Sequence, residues 1–304
     1  SNSNSSSSSS NSNLYPDYYQ TAFHYQGDGW MSTDSANVYE TSTETLFLGR
    51  QDSMQRTTLP PIMELLLSKQ NMRKKQQRLQ QRPMRVLEVA CGTGRFMTFV
   101  RDNLPLDTQY TAIDLSQFYL QKASENDQDW RKFKMEDEKK KQQPPISRRR
   151  RNGIGVLRQQ RQRQRQQQII TSTIDPVHFI QASAENLPFE KNSFDVVICV
   201  YLFHELPRSI RSQVAAEMSR VVHPGGTVVL TDSIQKGDRC STIDQSMGKF
   251  QNMNEPYYLD YIVDDIGSHF EKQGLLPMTK IVRSTTKSLS FTKPGQIEWT
   301  TSME

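Results

Sequence analysis

Short apolar runs alternate with amphipathic stretches through the middle and end of the chain. Five runs have the length and composition of strands that are buried on both faces of a sheet; they lie at 85–90, 110–113, 177–181, 193–203 and 227–232. Apolar residues at helical spacing follow at 95–103, 117–124 and 208–222. Strands that alternate with helices in this way predict an α/β domain with a mostly parallel sheet.

The last part of the chain predicts one more helix and two more strands. Residues 256–270 carry tyrosines and isoleucines at helical spacing and predict an amphipathic helix. Residues 277–282 and 287–292 are predicted to close the sheet as an antiparallel hairpin.

Residues 14–83 precede the first predicted strand and are predicted to form a helical cap. Their first part is rich in Tyr, Phe and Trp, and Ser32 or Thr33 is placed to cap a helix that runs to Phe47. Two shorter helices are predicted within 52–67. Two alternatives stay open for this cap: it covers the mouth of a ligand site, or it packs against the edge of the sheet.

The most informative motif follows the first strand. An apolar run that holds one carboxylate, Glu88, leads into the glycine-rich turn Cys91–Gly94 and then into a helix. Glycine has no Cβ, so such a turn lets a ligand approach the backbone closely. The third glycine of a dinucleotide-binding turn is missing, because Met97 stands at that position. The carboxylate suits a cationic ligand better than a phosphate.

This segment resembles motif I of the class I S-adenosylmethionine (SAM)-dependent methyltransferases, written [D/E]-x-G-x-G-x-G, with Ala90 in place of the first glycine. Asp114 ends the second strand 20 residues after Gly94, which is the spacing of a carboxylate that binds a ribose diol. Ala182–Phe189 resembles the G-D-A-E-x-L-P-F segment of the type-11 family, which includes the ubiquinone and menaquinone C-methyltransferases. Ser183 stands at the position of the aspartate in that segment.

The resemblance covers residues 84–293 and implies a doubly wound, seven-stranded, mostly parallel sheet of the Rossmann-like kind, with SAM as cofactor and methyl transfer as the activity. It implies that SAM is bound at the carboxyl ends of the strands. The candidate cofactor-binding residues are Glu88, Ala90, Cys91, Gly92, Gly94, Asp114, Leu115, Ser183, Ala184 and Val200. Asp114 also has a simpler interpretation, as a cap, with Ser116, of the helix that follows.

His204 is the candidate catalytic base. It ends the fourth strand, beside the expected position of the methyl group, and histidine exchanges protons near neutral pH. The alternative is a histidine that binds the backbone and shapes the pocket. Asp232, Glu205 and Tyr39 are weaker candidates for contact with the substrate. A base is required only if the acceptor must lose a proton.

Composition divides the chain into folded and low-complexity parts. Residues 1–13 are almost all Ser and Asn, and an insertion at about 131–173 is rich in Lys, Arg and Gln; both are predicted to be disordered, and 294–304 is a tail. Residues 131–168 hold 14 Lys+Arg and 3 Asp+Glu, which leaves 24 basic and 30 acidic residues elsewhere. The folded part is therefore acidic. The insertion is interpreted as a solvated loop, and the alternative is non-specific contact with RNA or an anionic membrane; no specific nucleic-acid partner is expected.

The cysteines and the N-terminus bear on the compartment. Neither pairing nor metal-ligand spacing is found for Cys91, Cys199 and Cys240, so no metal is expected. Two of these cysteines lie in predicted core strands, which favours a reducing compartment. The compartment is predicted to be intracellular, either cytoplasm or plastid. No apolar run approaches the ~18–20 residues of a membrane helix, although peripheral membrane contact stays open. The chain begins with Ser, so we expect the true N-terminus and any targeting peptide to be missing.

The aromatic cap and the tyrosines of 256–270 favour a small, apolar or aromatic acceptor, such as a quinone precursor, a phenol or a lipid. One alternative is an RNA or protein acceptor that docks on the basic insertion. Another is a SAM-binding scaffold without turnover, which the departures at Ala90 and Ser183 support.

Overall fold

The computed structural model describes residues 15–20, 29–75, 82–141, 174–240 and 255–295. The predicted disorder of residues 1–13, most of the basic insertion and the predicted C-terminal tail except its first two residues lie outside these described residues.

Helices and strands alternate in the described residues as the apolar pattern predicts. The strands are β1 Arg85–Val89, β2 Gln109–Asp114, β3 His178–Gln181, β4 Phe194–Val200, β5 Val222–Ser233, β6 Leu276–Arg283 and β7 Thr286–Thr292. The α-helices are α1 Thr33–Leu46, α2 Gln51–Gln55, α3 Leu59–Lys75, α4 Arg95–Asn103, α5 Gln117–Lys141, α6 Arg208–Val221, α7 Tyr258–Tyr261 and α8 Ile266–Glu271. Short 3₁₀ helices lie at Asp17–Gln20, Arg56–Thr58 and Phe203–Glu205.

The strands form one seven-stranded sheet in the order β3-β2-β1-β4-β5-β7-β6. Neighbouring strands from β3 to β5 run parallel, whereas β7 is antiparallel to both β5 and β6. The predicted doubly wound, mostly parallel sheet is therefore confirmed. The carboxyl ends of β2, β1 and β4 lie side by side at one edge, which is where open α/β sheets bind ligands.

Each face of the sheet carries its own layer of helices. Leu87 and Val89 of β1 belong to a core cluster shared with α6, α7 and α8. Val86 belongs to a second cluster, on the opposite face, shared with α3, α4 and α5. Burial of each such side chain contributes roughly 1.5–3 kcal/mol. Residues Phe194–Cys199 of β4 are all buried, which explains the continuous apolar run in the sequence.

The cap contacts a face of the sheet through α3, and Trp30 lies near the carboxyl end of β2. Ser32 caps α1 as predicted, and its Oγ accepts a hydrogen bond from the backbone N–H of Ser35 at 3.1 Å. Ile62 and Leu66 of α3 pack into the core on one face of the sheet. Trp30, just before α1, packs instead against α5 at the carboxyl edge of β2.

Helix α5 is longer than predicted. It ends at Lys141, so the prediction that residues 131–141 belong to a disordered insertion is wrong. Trp130 anchors this part of the helix and is only 9% exposed. Arg131 then pairs with Asp127 one turn earlier, at 2.9 Å between Nε and Oδ2. Contacts of this kind stabilise a polar helix that has little apolar periodicity.

The single helix predicted at 256–270 is divided into α7 and α8. Asp265 leaves the helical conformation, with φ −89° and ψ 82°, and its side chain caps α8 by accepting from the N–H of Ser268. An aspartate competes for backbone donors in this way, which the spacing of apolar residues does not reveal.

The described residues lack both a membrane-crossing helix and a metal-binding cluster. No helix among them has the length and apolar character needed to cross a bilayer. No group of three or more His, Cys, Asp or Glu side chains among them is arranged to hold a metal ion.

Candidate functional site

The turn after β1 has three residues in the left-handed backbone region. Ala90, Gly92 and Gly94 have φ angles of 57°, 54° and 76°. A Cβ added at Gly92 would meet no atom within 4 Å, so the space beside this residue is open. The left-handed conformation costs a non-glycine residue about 1–2 kcal/mol. This cost explains why the similar motif usually has glycine at the position of Ala90.

Asp114, the last residue of β2, lies directly against this turn. Its Oδ2 accepts a hydrogen bond from the N–H of Gly92 at 2.8 Å, and its Oδ1 accepts one from the N–H of Ser116 at 2.8 Å. The capping interaction with Ser116 is therefore present together with the contact to the turn. Burial raises the pKa of Asp114 to about 6, although these N–H donors oppose the rise. The group is mostly ionised at neutral pH, and a carboxylate has acceptor positions left for a ligand.

A cavity of about 100 Å³ opens beside Asp114 and the glycine turn. The residues that line it are Tyr18, Tyr19, Trp30, Tyr39, Ala90, Gly92, Ile113, Asp114, Leu115, Tyr119, Ala182, Ala184, Val200, Tyr201, Leu202, Glu205 and Leu206. Asp114 and Glu205 are the charged members of this described lining, which contains no Lys, Arg or His. The lining therefore attracts cationic groups and repels phosphates.

Aromatic side chains form one wall of the cavity. Trp30, Tyr39 and Tyr119 contact one another with ring centroids 5.3 to 5.9 Å apart. Tyr18 and Tyr19 of the first 3₁₀ helix line the cavity as well. The resulting volume is below the range of roughly 300–1,000 Å³ that is typical of small-molecule pockets. Tyr18 and Tyr19 thus narrow the cavity on the side of residues 15–20.

Residues 15–20 are tied to the loop that follows β3. The hydroxyl of Tyr18 donates to the carboxylate of Glu185. The Nε2 atom of Gln181 donates to the hydroxyl of Tyr15 at 3.0 Å and to the carbonyl of Leu115 at 2.8 Å. These polar contacts place the aromatic segment over the ends of β2 and β3.

Some of the predicted cofactor-binding residues line the cavity and others do not. Those that line it are Ala90, Gly92, Asp114, Leu115, Ala184 and Val200. Those outside the described lining are Glu88, Cys91, Gly94 and Ser183. Contact of any of them with a cofactor stays a prediction.

Three residues outside the lining are buried or bonded to other groups. Glu88 is 2% exposed and accepts a hydrogen bond from the hydroxyl of Tyr110 at 2.6 Å. Burial raises the pKa of Glu88 to about 8, so this carboxyl group is mostly neutral at pH 7. Cys91 is buried, and burial raises the pKa of its thiol. The hydroxyl of Ser183 accepts from the backbone N–H of Glu185 at 3.2 Å.

His204, the candidate base, does not line the cavity. Its ring is buried, and its Nδ1 lies 2.7 Å from Oδ1 of Asp232. Burial alone would lower the pKa of His204, but the Asp232 carboxylate outweighs burial and raises it to about 10. A histidine that is protonated at neutral pH cannot accept a proton from a substrate. The geometry therefore favours the structural alternative for His204, and Asp232 is occupied with holding it.

Sequence patterns did not identify most of the aromatic lining. The enrichment of residues 14–30 in aromatic side chains was the available signal, but it does not tell which rings face a cavity. Tyr201 had no such signal. It has a φ of 56°, its hydroxyl lies 2.5 Å from Oγ1 of Thr286, and its ring stacks on Phe47.

The described lining fits SAM, the cofactor that the resemblance implies. SAM carries a sulfonium and an ammonium group, and the lining offers carboxylates and aromatic faces, both of which attract cations. Asp114 is placed to accept hydrogen bonds from a ribose diol. The open space beside Gly92 lets such a ligand approach the backbone.

Parts of the chain are similar to known methyltransferases. Residues 154–230 match a family model described as a methyltransferase domain. A stretch of 54 residues is 48% identical to phthiotriol/phenolphthiotriol dimycocerosates methyltransferase 1 of Mycobacterium ulcerans, over 18% of this chain and 19% of that protein. A stretch of 58 residues is 38% identical to the ubiquinone/menaquinone biosynthesis C-methyltransferase UbiE of Hahella chejuensis, over 19% and 22% of the two chains. The chain thus matches about a fifth of the length of these curated relatives.

A solved structure extends the likeness in fold. The crystal structure of the CurJ carbon methyltransferase aligns with a TM-score of 0.50 at 14% identity, over 87% of this chain and 62% of that one. At this level of identity the likeness is evidence for the fold alone.

Proposed function

Because this chain is a member of the class I SAM-dependent methyltransferases, we propose that it moves the methyl group of SAM to a small apolar or aromatic acceptor. Phenols, quinone precursors and lipids are acceptors of this type. The observation that carries the proposal is the position of Asp114, which lies against the left-handed glycine turn in a cavity whose described lining has no cation.

Residues of three neighbouring strand ends hold the cofactor in this proposal. Asp114 accepts hydrogen bonds from the ribose hydroxyls, and the bare backbone at Gly92 allows the close approach that this contact requires. Leu115 and Ala184 supply small apolar contacts for the adenine ring. Tyr39 and Trp30 present aromatic faces to the cationic end of the ligand.

The chemistry needs little more than alignment. When bound, SAM supplies a methyl group that its sulfonium has already activated for displacement. The protein then holds the acceptor in line and excludes water. Residues 15–20 are suited to the second task, because Tyr18 and Tyr19 cover the cavity and Tyr18 is tied to Glu185.

The lining supports a small acceptor over the alternatives. An RNA acceptor would bring phosphates close to Asp114 and Glu205, which repel them. The idea of a scaffold without turnover rested on Ala90 and Ser183. Ala90 adopts the left-handed conformation that the turn requires, which weakens the case for that alternative.

Titration calorimetry with SAM tests the proposal directly. Asp114→Ala is expected to weaken SAM binding by roughly ten- to a hundredfold, because hydrogen bonds to a charged group contribute about 1.5–3 kcal/mol. Wild-type affinity is expected to fall as the pH drops below about 6, where Asp114 takes up a proton and loses acceptor capacity.

Asp129→Ala is the matched control, because Asp129 is an exposed carboxylate on α5 that pairs with Lys132. It should leave SAM affinity unchanged. A folded wild-type protein that binds neither SAM nor S-adenosylhomocysteine would refute the proposal.

A further inference from the structure

Glu205 is a second carboxylate in the cavity, and the proposed function gives it no part in holding the cofactor. It ends the 3₁₀ helix Phe203–Glu205 that follows β4, and its backbone N–H donates to the carbonyl of Leu202 at 3.0 Å. Its side chain is only 14% exposed. Burial is the main cause of the raised pKa of Tyr39, and the charge of Glu205 is the next. This carboxylate therefore lies close to the aromatic wall.

Hydrogen bonds with Asp232 and Arg211 fix the 3₁₀ helix that carries Glu205. Asp232 accepts hydrogen bonds from the N–H groups of Phe203 at 2.8 Å and His204 at 3.4 Å, in addition to the His204 ring. The Nε atom of buried Arg211 donates to the carbonyl of Phe203 at 2.9 Å. The other ring nitrogen of His204, Nε2, lies 3.7 Å from Oε1 of Glu205. The imidazole ring of His204 thus lies between the carboxylates of Asp232 and Glu205.

Other groups of the described lining are poor proton acceptors. Asp114 is engaged by the turn and, in the proposed function, by the ribose. Burial raises the pKa of Tyr39 and of Tyr201 well above that of a free phenol, so both hydroxyls stay protonated. Glu205 is the remaining carboxylate that faces the cavity in the described part of the chain.

The surroundings of Glu205 also restrict the acceptor. The rings of Trp30, Tyr39 and Tyr119 provide flat apolar faces suited to a planar aromatic molecule. A carboxylate or phosphate on the acceptor would meet Glu205 and Asp114 without any Lys, Arg or His in the described lining to balance its charge. A neutral acceptor with a weakly acidic hydroxyl group meets both conditions.

We propose that Glu205 is the general base for transfer of the methyl group to the hydroxyl oxygen of a neutral phenol-type acceptor, and that His204 and Asp232 position it. This inference rests on the proposed function. The O–H bond of the acceptor breaks and its proton passes to Glu205. The phenol oxygen forms a bond to the methyl carbon while the S–CH₃ bond breaks, and the electron pair of that bond stays on sulfur.

The test measures kcat/KM for a series of substituted phenols at about pH 8.5, with phenol pKa values from about 7 to about 10. Glu205→Gln is expected to lower kcat/KM about 100-fold for the least acidic phenols, which need a base. The loss should shrink toward none for phenols that are already ionised at the assay pH. The assays use saturating SAM, and calorimetry measures the SAM affinity of the variant separately, because Glu205 adds to the negative charge of the lining that attracts SAM.

Two further variants complete the experiment. Glu205→Asp keeps a carboxylate, so its kcat/KM should depend on the phenol pKa as weakly as that of the wild type. This variant keeps the test valid even if Glu205→Gln folds poorly. Glu125→Gln, an exposed glutamate on α5 that pairs with Lys122, should match the wild type throughout.

The inference is overturned if Glu205→Gln lowers kcat/KM by the same factor for every phenol, or does not lower kcat/KM for any of them. It is also overturned if the wild type binds SAM and methylates none of these phenols, in which case the proposed function still stands. A wild type that does not bind SAM defeats the proposed function itself, together with the inference that rests on it.

Discussion

Burial and hydrogen-bond donors set the charge of each carboxyl group near the site. Asp114 and Glu88 lie on adjacent strands, β2 and β1, and burial raises the pKa of both. Asp114 receives two backbone N–H groups, which favour its ionised form, and the pKa of Asp114 stays at about 6. Glu88 receives the hydroxyl of Tyr110, and its pKa reaches about 8. The first is therefore suited to binding a ligand, and the second belongs to the core.

Glu88→Gln is expected to make the free energy of unfolding less sensitive to pH. The folded-state pKa of about 8 lies above the ordinary value of 4.5, so between these values the folded protein keeps a proton that the unfolded chain loses. Wild-type stability therefore falls by up to about 1.4 kcal/mol per pH unit through this window as the pH rises. Glutamine keeps an acceptor for Tyr110 without this loss.

Urea denaturation of both proteins at about pH 5 and about pH 8 measures the difference. The variant should gain stability relative to the wild type at the higher pH. If the free energy of unfolding changes equally between the two pH values in both proteins, Glu88 is ionised in the folded state. Glu125→Gln, on the exposed side of α5, is the control for loss of a carboxylate at the surface.

At the scale of elements, the turn between β1 and α4 packs closely on α5. A Cβ added at Gly94 would lie 3.0 Å from the Cβ and 3.1 Å from the Cα of Ala123. Real Cβ atoms rarely approach other atoms this closely, so a side chain here would push the two elements apart. The second glycine of the turn is thus required by helix packing, whereas the first leaves space for a ligand.

Gly94→Ala is expected to destabilise the fold by about 2–5 kcal/mol, the sum of a left-handed backbone cost and an overpacking cost. Gly274→Ala is the matched control, because Gly274 has a similar φ of 79° and a Cβ there would meet no atom within 4 Å. The control should therefore lose only the stability that corresponds to the left-handed backbone cost. Thermal unfolding of both variants measures the difference, and equal losses would show that the contact with Ala123 contributes nothing.

At the scale of the whole molecule, polar contacts join helices α1 and α2 of the cap to the α/β domain, whereas α3 packs into the core. Thr93 donates to Glu40 of α1 at 2.8 Å, and Arg95 pairs with Asp52 of α2 at 2.6 Å. Partly exposed ion pairs of this kind contribute little to stability, about 0–1 kcal/mol. The Arg95–Asp52 pair therefore adds little to the attachment of α2.

The overall charge of the chain depends strongly on residues 142–173, which contain eight arginines and no acidic residue. Replacing all eight by glutamine lowers the formal net charge from +5 to −3. We expect this variant to bind SAM and methylate small acceptors like the wild type, because the described lining of the cavity lies elsewhere. Its non-specific affinity for RNA should fall steeply and depend less on salt.

Activity assays and salt-dependent RNA binding measure these two effects separately. A loss of methyl transfer to small acceptors, with the fold intact, would contradict the expectation. Methylation of RNA by the wild type that disappears in the variant would instead support the docking alternative for the insertion.

The part of the fold that depends on local pattern could be predicted from the sequence. Strand β4 is a continuous apolar run because both of its faces are covered, and the cap by Ser32 follows from its hydroxyl acceptor. The second half of α5 could not be predicted, because Trp130 and the pairing of Arg131 with Asp127 stabilise it without apolar periodicity. The break at Asp265 depends on one side chain competing for a backbone donor.

The sequence by itself determined the order of strands and helices, the glycine turn and the position of Asp114 at the end of β2, because these depend on residue type and short spacing. The tertiary structure alone decided which side chains share the cavity. Tyr18, Tyr39 and Glu205 come from three distant segments, and only the docking of the cap over the carboxyl ends of the strands brings them together. It also decided that His204 is a buried cation, because the charge of a histidine depends on a neighbour that lies 28 residues away in the chain.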